Sequence, residues 1–295
     1  MSATETSADV RALFGQYRRD GEDGAGTGPP LAELNATQVE LLAALLELYR
    51  REGVVADNED LPLCLHCGDR NACWTTPPLE DGNGISFPYI GPDYCGGGVV
   101  IVGMNMNEAW RLPVEFGITE IAIERLENGW RTMPPWTSVR GRGSPYHYRS
   151  TRSARAVLAA QGGEDKLDVT EPQQLVPTLL ATARVQAVKC QPGDEHDGRN
   201  FAPYPEMYEP CRRRFLEAEL GILRPGTILA FGGPVRGLVV HALCDNLEDR
   251  EDGLFIAELH REWGDARVYS LCHPSARGGQ WTRSHERLIE ILEDA

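Results

Sequence analysis

The stretch GVVIVGMNMNE, Gly98 to Glu108, decides the fold. Four β-branched residues between glycines, followed by Met104 and Asn105, predict a buried parallel strand whose carboxyl end opens into a loop. Such strand ends are where α/β sheets bind ligands, so Asn105 is expected at the mouth of a site. Alone, the run also fits an ordinary core strand with a tight turn after it. Far downstream, VYSLCHPS, Val268 to Ser275, repeats the pattern of apolar strand and polar loop and delivers His273. An amide and an imidazole at two strand ends are expected to form the halves of one site.

Between and around these strands, helical and extended patterns alternate. Helices are predicted over Gln38–Arg51, Glu120–Asn128, Ser153–Gln161, Cys211–Leu220, Val235–Leu243 and Ser284–Glu293, and further strands over Arg184–Lys189 and Thr227–Phe231. Alternation of this kind implies an α/β fold, a three-layer αβα sandwich around a short, mainly parallel four-stranded sheet. Residues 1–36, with GEDGAGTGPP at 21–30, read as a flexible segment. Residues 37–295 read as one domain with an N-terminal helix and a Cys-rich segment over 55–97.

The 295 residues carry a net charge of −15, which argues against a protein that coats nucleic acid indiscriminately. The charge is uneven. Residues 1–60 hold twelve Asp or Glu against five Arg, whereas Arg131 to Arg155 holds six Arg, no acid, and the aromatics Trp136, Tyr146 and Tyr148. Arginines interleaved with aromatics suit phosphate contacts and base stacking, which makes Arg140 and Arg142 candidate DNA contacts. No apolar run approaches a membrane span, and the N-terminus lacks the features of a signal peptide, so a cytoplasmic location is expected. Eight cysteines in such a chain suggest metal ligands or core thiols before disulfides.

Taken together, the motifs resemble the uracil-DNA glycosylase superfamily over about residues 60–290. Gly103-Met104-Asn105 is similar to the Gly-Met-Asn first motif of its single-strand-selective monofunctional branch, and His273-Pro274-Ser275 matches its second motif. Val188-Lys189-Cys190-Gln191-Pro192, Cys211, Leu223-Arg224-Pro225 and Leu229-Ala230-Phe231-Gly232 are similar to its iron–sulfur branches. The resemblance implies a superfamily-type fold, a DNA glycosylase activity, and a four-iron four-sulfur cluster on Cys64, Cys67, Cys190 and Cys211. A zinc site from Cys64, Cys67, Cys73 and Cys95 is the rival, since thiolates suit both. It also implies that Asn105 positions the hydrolytic water, that His273 stabilises the departing base, and that Met104, Tyr146, Gln186, Asn107 and Glu108 surround the base. In relatives the loop after the second motif enters the duplex, which nominates Ser275, Arg277, Gln280 and Trp281 as DNA contacts.

The departures bear on the substrate. Met106 and Asn107 stand where a Pro follows the first motif in relatives, and Gln186 stands where the iron–sulfur branches read uracil with Asn. About 80 residues separate Asn105 from Gln186. The long segment from Trp110 to Gly162 suits a roomier pocket, and the superfamily includes activity on α-glucosylated hydroxymethylcytosine in phage DNA. The expected function is therefore a monofunctional glycosylase on double-stranded DNA, leaning towards such a bulky base in antiviral defence, with uracil or an oxidised pyrimidine as the repair alternative. A non-excising or merely DNA-binding relative is the alternative of another class, and no obligate protein partner is inferred. Only two lysines occur, Lys166 and Lys189, and neither sits on a catalytic motif, so a lyase step through a Schiff base is not expected.

Overall fold

The computed structural model describes residues 36–52, 87–91, 93–104, 145–189 and 205–294. Residues 1–35 of the expected flexible segment, residues 55–86 and 92 of the Cys-rich segment and the helix over Glu120–Asn128 lie outside the described residues, and Ala36 opens a helix instead.

The sheet has seven strands: β1 (Tyr89–Ile90), β2 (Val99–Gly103), β3 (Ala183–Gln186), β4 (Thr227–Phe231), β5 (Asp245–Asp249), β6 (Phe255–Arg261) and β7 (Gly264–Leu271). Their order is β1-β3-β2-β4-β7-β6-β5. The four strands foreseen from the sequence are the central ones, and they are mutually parallel. The expectation of a four-stranded sheet is corrected by its edges. β1 pairs antiparallel with β3, and the β5–β6 hairpin extends the sheet antiparallel beyond β7. Every residue of β2 and β4 is buried, as strands covered on both faces require. β5, DNLED, is exposed throughout and carries acids where an edge strand benefits from them.

Among the described residues, besides 3-10 turns at Pro172–Leu175 and Pro205–Met207, the helices are α1 (Ala36–Arg51), α2 (Pro145–Gln161), α3 (Val176–Ala181), α4 (Tyr208–Cys211, Arg212–Leu216 and Glu217–Leu223 in succession), α5 (Gly233–Arg236 and Gly237–His241) and α6 (Gln280–Glu293). The second segments of α4 and α5 are π-wound. On one face, Leu42, Leu45 and Leu46 of α1, Phe215 and Leu220 of α4 and Val239 of α5 pack on Val100, Val102, Val185, Ile228 and Ala230. On the other, Ala154 and Val157 of α2 and Trp281 and Leu288 of α6 pack on Val99, Ile101, Leu229, Phe231 and Leu271. After β2 the next described element is α2 on the second face, and after β3 it is α4 on the first. The winding therefore changes side around β2, and the carboxyl ends of β2 and its neighbours form a switch point of the kind that binds ligands.

A buried charge pair fixes α4 to the segment after β3. Lys189 donates to Glu219, whose other oxygen accepts the Tyr49 hydroxyl at 2.6 Å, and both charged side chains are essentially sealed from solvent. Among the described residues no helix is long and apolar enough to cross a membrane.

Candidate functional site

Four parallel strands end at the same level, and their last residues set the site. Gly103 closes β2, Gln186 closes β3 directly opposite it, Phe231 closes β4, and Leu271 closes β7 two residues before His273. Pairing continues past the ends, with Ala187 N–H to Gly103 O and Val188 N–H to Met104 O, both at 2.8 Å. That ladder holds the start of the first-motif loop rigidly against the exit of β3.

Gly103 is small for a reason. A Cβ there would lie 2.4 Å from the Tyr146 hydroxyl oxygen and 2.6 Å from Gln186 Oε1, so both side chains close directly over the glycine backbone. Tyr146 comes from the first turn of α2. Its ring lies 5.5 Å from that of His273 at an interplanar angle of 33°, and 6.3 Å from Phe231 at 74°. Gly232, at φ +94°, makes the turn out of β4; a Cβ there would stand 3.4 Å from His273 Cδ2, and its N–H bonds Leu271 O at 2.9 Å.

The surroundings of His273 favour its neutral form. The Ser275 backbone N–H donates to its Nδ1 at 3.1 Å, and burial depresses its pKa. A ring that accepts at Nδ1 and is neutral carries its proton on Nε2, leaving Nε2–H as a donor. The loop is clamped from α2, where Arg149 Nη1 donates to Pro274 O. Burial pushes the Tyr146 hydroxyl up to about 12, with the Arg184 guanidinium pulling against it, so the phenol stays protonated and able to donate. Gln186 Oε1 is buried without a hydrogen-bond partner. The described members of this group are neutral hydrogen-bonding side chains and aromatic faces. They are suited to grip a flat, polar heterocycle and to favour negative charge on it.

The other expected residues divide. Met104 is half-buried and packs against the first-face core. Ser275 and Arg277 are exposed on the loop leading into α6, and Gln280 is exposed as the first residue of that helix. Trp281 is a correction: it is 3% exposed and stacks on His285 at 4.7 Å and 13° beneath Arg149 and Arg152, so it belongs to the α2–α6 seam and not to a DNA-facing surface. Asn105, Asn107, Glu108, Arg140, Arg142, Cys64, Cys67, Cys73 and Cys190 lie outside the described residues. Cys211 is buried on α4 and Cys95 is exposed; among the described residues no group of three or more His, Cys, Asp or Glu is placed to hold a metal.

Sequence reasoning passed over three polar residues of α2 and β3. Arg184 is buried, bonded to Ser150 Oγ at 3.0 Å and to Thr151 Oγ1. The signal was present in ARVQ: an Arg two residues before Gln186 falls on the same strand face, pointing where Ile101 points. Deeper in the seam, His285 joins Ser153 Oγ at 3.1 Å to Asp168 at 3.4 Å, and Arg152 pairs with the same carboxylate. No protein-family model matches the chain, and no curated protein matches it.

Proposed function

We propose that this chain is a monofunctional DNA glycosylase that takes an extruded pyrimidine into the site at the carboxyl ends of β2, β3, β4 and β7 and leaves an abasic site. One observation carries the reading. Gly103, Tyr146, Gln186 and His273, drawn from four separate parts of the sequence, meet in one place, with His273 presenting Nε2–H. In the reaction the C1′–N1 bond breaks and its electron pair passes to the base. Water adds its oxygen to C1′, and the proton it releases balances the charge on the departing base. His273 Nε2–H is assigned to the base oxygen on which that negative charge gathers, an interaction stronger in the transition state than in the ground state. Tyr146 is assigned to cover the flat face and Gln186 to read the base edge. Asn105, the residue after Met104, is assigned to orient the water.

The placement of Lys189 supports a hydrolytic route without a Schiff base, since its amine is committed to Glu219 and sealed in the core. For the proposed cluster ligands, Cys211 is a buried thiol on α4, the helix to which Lys189, the neighbour of Cys190, is tied. An iron–sulfur cluster on Cys64, Cys67, Cys190 and Cys211 would serve structurally, pinning the segment after β3. Zinc is the alternative occupant, and the visible absorption of purified protein distinguishes the two.

The proposed substrate is a bulky C5-substituted cytosine such as α-glucosyl-hydroxymethylcytosine in phage DNA, and uracil is the rival. The test is to incubate the protein with uracil-containing duplexes and with glucosylated phage DNA, then count abasic sites with an aldehyde-reactive probe. Abasic sites in phage DNA that vanish in His273→Ala are expected. Cleavage confined to uracil replaces the substrate, and no abasic sites in any DNA overturn the activity.

A further inference from the structure

Two charged side chains of the buried core, Lys189 and Glu219, neutralise each other. Arg184 has no such relief. It is 5% exposed, and among the described residues no carboxylate pairs with it. Its Nη1 donates to Ser150 Oγ at 3.0 Å and meets His147 Nδ1 at 3.3 Å, and Nη2 donates to Thr151 Oγ1; all of these acceptors are uncharged in this arrangement. Its Nε–H is buried with no acceptor. A guanidinium stripped of water without a counter-charge is a costly feature in a folded protein. It is also lodged in a particular place: on the strand face that Gln186 shares, against the first turns of α2 that carry Tyr146, Ser150 and Thr151, with Gln186 Oε1 a second unpartnered atom two residues along the strand.

We propose that Arg184 is an electrostatic positioning residue of the site, a fixed cation behind Tyr146 and Gln186 that favours the negative charge arriving on the base as the C1′–N1 bond opens. The inference rests on the glycosylase reading. Arg184 donates no proton in this step: the electron pair of the broken bond moves to the base, and the field of the guanidinium lowers the energy of that anion without contact. Arginine suits the task because it keeps its charge when buried, where lysine readily loses it. Ser150, Thr151 and His147 hold the group in place without neutralising it, and among the described residues nothing else does, so its field is available to the site.

The experiment compares wild type, Arg184→Met and Arg184→Lys on duplexes whose target pyrimidines carry 5-substituents that grade the acidity of the leaving base. Loss of the cation lowers kcat roughly thirtyfold on the parent base with little change in KM, and the dependence of rate on leaving-group acidity steepens. Arg184→Lys, whose amine readily loses its charge in this buried place, steepens the dependence as Arg184→Met does. A structural defect lowers every rate by one factor, so equal slopes in wild type and Arg184→Met overturn the proposal. A second measurement needs no variant: the affinity of wild-type protein for free 5-nitrouracil, followed as pH rises through that base's own ionisation. The titratable groups facing Arg184 and the site are Tyr89 on β1, Tyr146 and His147 on α2, and His273 after β7. Affinity that climbs as the base becomes an anion is expected, and affinity that stays level or falls overturns the proposal. Wild type that cleaves no pyrimidine from DNA defeats the glycosylase reading alone, because the free-base titration still tests the cation.

Discussion

The closure of Tyr146 and Gln186 over Gly103 makes one methyl group a sharp probe. Gly103→Ala puts a Cβ 2.4 Å from the Tyr146 oxygen and 2.6 Å from Gln186 Oε1, each well inside van der Waals contact. The backbone there needs no left-handed conformation, so the whole cost is steric. Both obstructing atoms are the far ends of side chains and can retreat, but Tyr146 is backed by Phe231 and His273, so its ring must tilt. Overpacking of this kind costs about 1–2 kcal/mol of stability. Activity suffers more, because displacing positioning groups by about an ångström costs on the order of a hundredfold in rate. The assay pairs denaturant unfolding with abasic-site formation for Gly103→Ala, Tyr146→Phe and the double variant. Removing the phenol oxygen relieves one of the two clashes, so the double variant recovers about 0.5–1 kcal/mol relative to additivity. Strict additivity, or an alanine variant with undiminished rate, refutes the claim that these side chains meet over the glycine.

Three further outcomes follow from the same structure. His273→Gln lowers kcat roughly 10²–10³-fold with KM nearly unchanged; because the neutral ring is the working form and burial depresses its pKa, the wild-type rate should hold at neutral pH and fall only as acid protonates the imidazole below its ordinary value, which a pH–rate profile checks. Lys189→Met strands the Glu219 carboxylate in the core and costs about 3–5 kcal/mol in urea unfolding, whereas Lys189→Met combined with Glu219→Leu recovers most of it. His285 is buried with its pKa below the ordinary histidine value, so its neutral form stabilises the fold fully above about pH 6.5 and progressively less as the unfolded chain takes up the proton below it. Asp168, held well below the usual carboxylate range by His285 and Arg152, extends the loss at lower pH, where the unfolded carboxyl protonates first; His285→Gln should flatten the upper part of that profile.

Much of the architecture was legible because parallel strands advertise themselves. VVIVG, TILAF and VYSL are runs buried on both faces. The β5–β6 hairpin escaped notice for the opposite reason: DNLED has no buried side chain at all, and its strand character comes from pairing with β6, a tertiary cause that local pattern does not carry. At the site, His273, Tyr146 and Gln186 were legible through motifs, and the structure brings them together. Trp281 was misplaced because it follows the loop after His273, although Trp281, Ser284, His285 and Leu288 form a helical stripe that points inward. Arg184 was passed over because an Arg in a strand reads as an edge or surface position, although ARVQ sets it on the face of Gln186; its burial against α2 is a tertiary fact.

The exposed margin of the sheet has its own consequence. A strand with one free side presents a backbone ladder to any other strand, including that of a second molecule. Here Asp245, Glu248 and Asp249 line that margin, so two molecules meeting edge to edge would set acid against acid at the spacing of neighbouring strands. The same chemistry makes the safeguard conditional. Salt that screens these charges removes the repulsion while the ladder remains, so the molecule's resistance to sheet-driven clumping belongs to dilute electrolyte rather than to its topology.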